Sequence, residues 1–77
     1  MSYSLKPDFR ITQFLQVVDE CRGSVFFKDI EGNLLDLKSQ LCKYLFLTFR
    51  PGEAQLSEGK IICDEEDAKH LASYLML

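Results

Sequence analysis

Between residues 8 and 22 the chain reads DFRITQFLQVVDECR, and the apolar positions Ile11, Phe14, Leu15, Val18 and Cys21 recur at i, i+3, i+4, i+7 and i+10. That spacing lays them along one face of a helix, with Gln13, Gln16, Asp19 and Glu20 largely on the other. Asp8 is placed to cap its N-terminus, and Gly23 to end it in a left-handed turn. The pattern then shortens. SVFFKD (24–29) and NLLDLK (33–38) each carry apolar residues on one face and flank IEGN, so they read as a hairpin in which Gly32 and Asn33 supply positive φ. Leu34, Leu35 and Leu37 look like the end of a buried strand, and Leu41, Tyr44 and Leu45 like the apolar face of a second helix. Ser39 stands between them, where a serine is the expected N-cap. That helix is predicted to be short, because LFLTF (45–49) suits an extended segment better.

SYSL (2–5) reads as a short strand at a sheet edge, stopped by Pro7. RPGE (50–53) is a turn by its Pro-Gly pair. The next strand is either Ala54–Ser57 or Lys60–Cys63, or both as a hairpin around Glu58-Gly59. DEEDAKHLASYLML (64–77) reads as a last helix with acidic residues in its first turn, where they complement the dipole, and Ala68, Leu71, Ala72 and Leu75 facing inward. The order is β–α–β–β–α–β–α. The hairpin makes the sheet mostly antiparallel, which predicts the α+β class and an open-faced sandwich with helices on one face. At 77 residues this is a single domain spanning 1–77.

Composition narrows the function classes. An apolar content of 47% with nine aromatics excludes a disordered chain, and no 18-residue apolar run exists for a membrane span. The polar N-terminus lacks the apolar stretch of a signal peptide, so a cytoplasmic location is expected. A net charge of −3, with basic residues scattered rather than clustered, argues against nucleic acid. Cys21, Cys42 and Cys63 cannot all pair within one chain, no C-x-x-C occurs, and buried thiols acting as small apolar residues are expected. A Cys42 or Cys63 nucleophile would need His70, the one histidine, as its base across the fold. His70 has Asp67 and Asp64 at i−3 and i−6, which is not metal-ligand spacing, and DEED lacks the alternating oxygens and glycine of a calcium loop. No metal and no cofactor are expected. Phe26, Phe27, Phe46 and Phe49 are assigned to the core and the sheet faces. So small a chain cannot hide nine aromatics, and any exposed patch becomes a partner surface.

The run EGNLLDLKSQLCKYLFL resembles HPr, the histidine-containing phosphocarrier family of the bacterial sugar phosphotransferase system. The family has a hairpin of the type x-N-G-K-x-V-N-x-K-S followed by a short apolar helix, and Leu37-Lys38-Ser39 matches its L/A-K-S signature. Gly23 after the first helix and DEEDAKHL at the start of the last echo further family features, so the likeness covers most of the chain. The family's phosphoryl-carrying histidine lies in a G-x-H-A-R-P motif at the start of the first helix. Counted back from Gly23, the histidine's place falls on Arg10, the arginine's on Thr12 and the proline's on Gln13. The resemblance therefore implies a variant without the active-site histidine, similar to the catabolite-repression HPr homologue.

In HPr of many Gram-positive bacteria the serine at the start of the second helix is phosphorylated by a dedicated kinase, and the modified protein acts as a corepressor with a LacI-type regulator. The resemblance thus offers Ser39 as a phosphorylation site, with Gln40, Leu41 and Tyr44 as counterparts of the surface around it. A kinase or a transcription regulator is the implied protein partner. Phosphate at a helix N-terminus is physically sensible, since the first amides point at it. Capping alone also accounts for a serine at this position. Arg10 is open to two readings as well, an anion site at the mouth of the first helix or a solvated arginine. The expected function is a non-catalytic regulatory or partner-binding module. The alternatives are a residual phosphocarrier using an unconventional residue, and a plain interaction domain that has left the pathway.

Overall fold

The computed structural model describes residues 2–6, 9–49 and 58–76. Its elements are β1 (Ser2–Leu5), α1 (Ile11–Glu20), β2 (Phe26–Lys28), β3 (Leu34–Asp36), α2 (Gln40–Leu47), β4 (Lys60–Ile62), α3 (Glu65–His70) and β5 (Leu75–Met76). The strands form one five-stranded sheet in the order β3-β2-β4-β1-β5, with every pairing antiparallel. The fold is α+β, with an open antiparallel sheet.

Register decides which side chains are buried. Tyr3 stands opposite Ile61, Ile61 opposite Phe27 and Phe27 opposite Leu35, while Leu5 stands opposite Leu75. Side chains alternate along each strand, so these six share one face. There Leu5, Phe27, Ile61 and Leu75 join Phe14, Leu15 and Val18 of α1, Phe46 of α2 and Ala68 of α3 in a single core. The other face carries the rows Ser2–Ile62–Phe26–Asp36 and Met76–Ser4–Lys60–Lys28–Leu34. No helix among the described residues is long and apolar enough to cross a membrane.

Several local expectations change. α1 ends at Glu20, and Gly23 does not have positive φ, so it does not form the expected left-handed cap. Its lack of a side chain answers a different need: a Cβ there would lie 2.8 Å from Asp64 Oδ2 and 2.9 Å from Asp67 Oδ2. Asp8 lies outside the described residues, and the cap position of α1 falls to Arg10, whose side chain makes no cap bond. In the hairpin turn only Gly32 has positive φ (89°), not Asn33. The turn is organised by Asp29, whose Oδ1 accepts the N–H groups of Glu31 (2.9 Å) and Asn33 (2.8 Å).

The second half departs further from expectation. LFLTF is not extended: α2 continues through Leu47, with Phe46 inside it. Of the expected buried run, Leu37 is buried, Leu35 is half-buried and Leu34 is exposed. The strand after α2 is Lys60–Ile62, whereas 54–57 and the RPGE turn lie outside the described residues. The last helix stops at His70, and the chain turns into β5, where Leu75 is buried as a strand residue. That strand covers β1, which is therefore interior to the sheet and not at its edge. The aromatics divide as assigned between core and sheet face: Phe27 and Phe46 are buried, and Phe26 lies half-buried on the outer face.

Candidate functional site

The join between β3 and α2 is built by Asp36. Its carbonyl accepts the N–H of Ser39 (2.9 Å), and its Oδ1 accepts the N–H of Lys38 (3.0 Å). The Ser39 carbonyl then accepts the N–H of Lys43 (3.0 Å), which closes the first turn. Ser39 occupies the N-cap with extended dihedrals (φ −78°, ψ 132°), yet its hydroxyl makes no cap hydrogen bond. The cap position is as expected and the capping bond is not made. The Lys38 ammonium folds back to donate to the carbonyl of Cys21, at the end of α1.

α2 buries Phe46, with Cys42 and Phe49 half-buried on the same side. The Phe46 ring meets Phe27 edge-on at 5.1 Å and Phe49 edge-on at 5.9 Å, and lies 5.9 Å from Phe14. Lys43 lies along α1, its ammonium paired with Asp19. The apolar face of Leu41, Tyr44 and Leu45 points out of the fold. Leu41 is 69% exposed and Tyr44 59%, and Leu45 and Leu47 are exposed beside them, with Gln40 and Thr48 as the polar neighbours. A helix that is apolar all round is normally buried all round. This one is buried on one side only.

Phe14 meets Phe46 near the end of α2, and Asp19 meets Lys43 near its start, so the two helices run antiparallel. Arg10 and Ser39 therefore lie at opposite ends of the helix pair and do not form one site. Arg10 is exposed, and its carbonyl accepts the N–H of Phe14 (3.0 Å). His70 is exposed at the end of α3.

Cys21 and Cys63, both buried, are poorly placed for nucleophilic work. Burial pushes Cys21 up to about 11, and the charge of Asp67 adds to this, only partly opposed by Lys38. Burial, followed by Asp67, also raises Cys63. Little thiolate exists on either at neutral pH. Among the described residues no group of three or more His, Cys, Asp or Glu is arranged to hold a metal ion.

Asp67 stands in the first turn of α3 as read, but its buried role is one that reading the acidic run only as a helix start missed. It is only 3% exposed, and its two oxygens accept the N–H groups of Arg22 (3.0 Å) and Gly23 (2.9 Å), tying α3 to the chain leaving α1. The available signal was its helical phase, next to Ala68 and four residues before Leu71, both of which face inward. No protein-family model matches the chain, and neither the curated proteins nor the solved structures contain a significant match.

Proposed function

We propose that this chain is a non-catalytic, partner-binding protein of HPr-like design that works in the cytosol and docks another protein on the outer face of α2. The observation that carries this reading is the exposed quartet Leu41, Tyr44, Leu45 and Leu47. Leaving four large apolar side chains 42–69% exposed forgoes roughly half of a burial worth about 1.5–3 kcal/mol each when complete. A small domain with few apolar residues to spare has no folding reason to arrange them so. The one cation of the helix, Lys43, is held by Asp19, so the outer face is uncharged and suits an uncharged apolar surface on the partner. Eight helical residues span only about 12 Å. The face alone falls short of the roughly 800 Å² per partner of a standard interface, and the complex is therefore weak or transient.

The HPr-like part of the reading rests on the L-K-S sequence and is supported by the order of elements through α3, which follows the β–α–β–β–α–β–α expectation. Ser39 borders the docking face, and its hydroxyl is not used in capping. A phosphate there would meet the helix N-terminus and add about two negative charges at the rim of an uncharged surface. The kinase and the transcription regulator of the HPr family are the corresponding partners.

Incubation with an HPr kinase and ATP, followed by peptide mass mapping, tests the switch. Phosphate on Ser39 is expected, and modification elsewhere or nowhere removes the switch while leaving the docking face. Labelling from phosphoenolpyruvate through the upstream enzyme is expected to leave no acid-labile phosphate on the chain. If label is found, the phosphocarrier reading replaces this one.

A further inference from the structure

On the outer face of the sheet Lys28 and Lys60 stand directly opposite each other across β2 and β4. Side chains paired in this way leave strands about 5 Å apart at Cβ, and like charges so placed repel. The Lys60 ammonium donates to the Ser4 hydroxyl, and Lys28 has no ion-pair partner among the described residues. Around the two cations lie Phe26 and Ile62, both half-buried, with Leu34 (56% exposed) and Met76 (53%) at the two ends of the same row. In a chain of net charge −3, the middle of its open sheet face is thus cationic, with these four apolar neighbours. Ser2, Ser4 and, beside Phe26, Asp36 are the other residues of the face, and Asp36 Oδ1 is engaged by the Lys38 N–H. Folding gains nothing from the repulsion, whereas a carboxylate between the two ammonium groups would remove it.

We propose that this face docks an acidic segment of a partner protein. One carboxylate of the segment bridges Lys28 and Lys60, and its apolar side chains rest on Phe26, Ile62, Leu34 and Met76. Two cations fall far short of the 6–10 phosphate contacts over which nucleic-acid binding is typically built. Anionic bilayers are recruited by clusters of about 4–8 basic residues. Either polyanion would also meet the net negative charge of the whole chain, while a single bridging carboxylate needs only the local pair. The surface lies on the side of the sheet away from the core and α2, so it stands or falls apart from the docking face described above.

The test is an NMR titration of the full chain with a short synthetic peptide alternating glutamate and leucine. Saturable amide shifts are expected along β1, β2 and β4. Binding should weaken as salt is raised, and K28Q/K60Q should weaken it by about tenfold or more. The L41S/Y44S variant should bind as the parent does, and K28Q/K60Q should melt no lower than the parent, because the substitution removes a repulsion. The proposal is overturned by shifts confined to α2, by an absence of saturable shifts, by equal binding of a lysine–leucine peptide, or by a K28Q/K60Q protein that binds unchanged. Stronger binding to oligothymidylate or to phosphatidylcholine–phosphatidylserine vesicles than to the acidic peptide overturns it too.

Discussion

Replacing Asp67 by alanine removes both acceptors of the Arg22 and Gly23 amides without touching the amides themselves. A hydrogen bond to a charged group contributes about 1.5–3 kcal/mol, and a buried amide left without a partner costs about 1–3 kcal/mol. Both amides are only partly buried, so the lower end of each range applies, and two bonds give a loss of about 3 kcal/mol. A 77-residue domain has about 4–12 kcal/mol in all. The substitution should therefore shift the urea midpoint severely, and Asp67→Asn, which keeps one acceptor oxygen, should shift it by roughly half as much. Gly23→Ala approaches the same lock from the other side. Its Cβ would come within 3 Å of Oδ2 of both Asp64 and Asp67. Asp64 is exposed and can swing away, but Asp67 cannot move without releasing its two amides. Gly23→Ala should therefore cost less in the Asp67→Ala background than in the parent, with a coupling of about 1 kcal/mol or more. Equilibrium urea unfolding followed by far-ultraviolet circular dichroism measures all five proteins. An Asp67→Ala protein within about 0.5 kcal/mol of the parent, or strict additivity of the pair, would refute the lock.

Ser39→Ala should cost less than about 0.5 kcal/mol, below the usual 0.5–2 kcal/mol of a working cap, because the hydroxyl makes no cap bond; the same unfolding assay decides. Phe46→Ala should cost about 3–5 kcal/mol, since it empties the space between Phe14, Phe27 and Phe49, whereas L41S/Y44S should stay within about 0.5 kcal/mol of the parent. The raised Cys21 thiol makes stability fall in alkali. Its folded form holds the proton more tightly than the unfolded chain does, so its contribution is complete below an ordinary value of 9.0 and is lost as pH rises through about 11. Cys63 shifts in the same direction. Unfolding curves across that window should fall less steeply for Cys21→Ala than for the parent, and iodoacetamide at neutral pH should modify half-buried Cys42 before the two buried thiols.

What could be read from the chain depended on whether a segment's own pattern picks a face. In α1 it does: Phe14, Leu15, Val18 and Cys21 are apolar against polar neighbours, and all four are buried. The 24–38 hairpin is legible for the same reason, its turn chemistry being local. QLCKYLFL offers no such contrast, because apolar side chains point in every direction around the helix. What chooses its inner side is tertiary: Phe46 fits among three rings brought there by α1, β2 and the end of α2, and that places Leu41, Tyr44 and Leu45 outside. β5 was hidden by a similar cause, since SYLML has the phase to prolong a helix, whereas its Leu75–Met76 forms a strand on the edge that β1 presents 70 residues earlier in the chain. The candidate site sits on the segment whose pattern is least decisive. Under the proposed docking the two facts share one origin: a helix serving both its own core and a second protein needs apolar residues on both sides, and that demand erases the periodicity. On that proposal, loss of amphipathic contrast in a short helix of a small, otherwise well-patterned domain marks a docking face once the buried side is known.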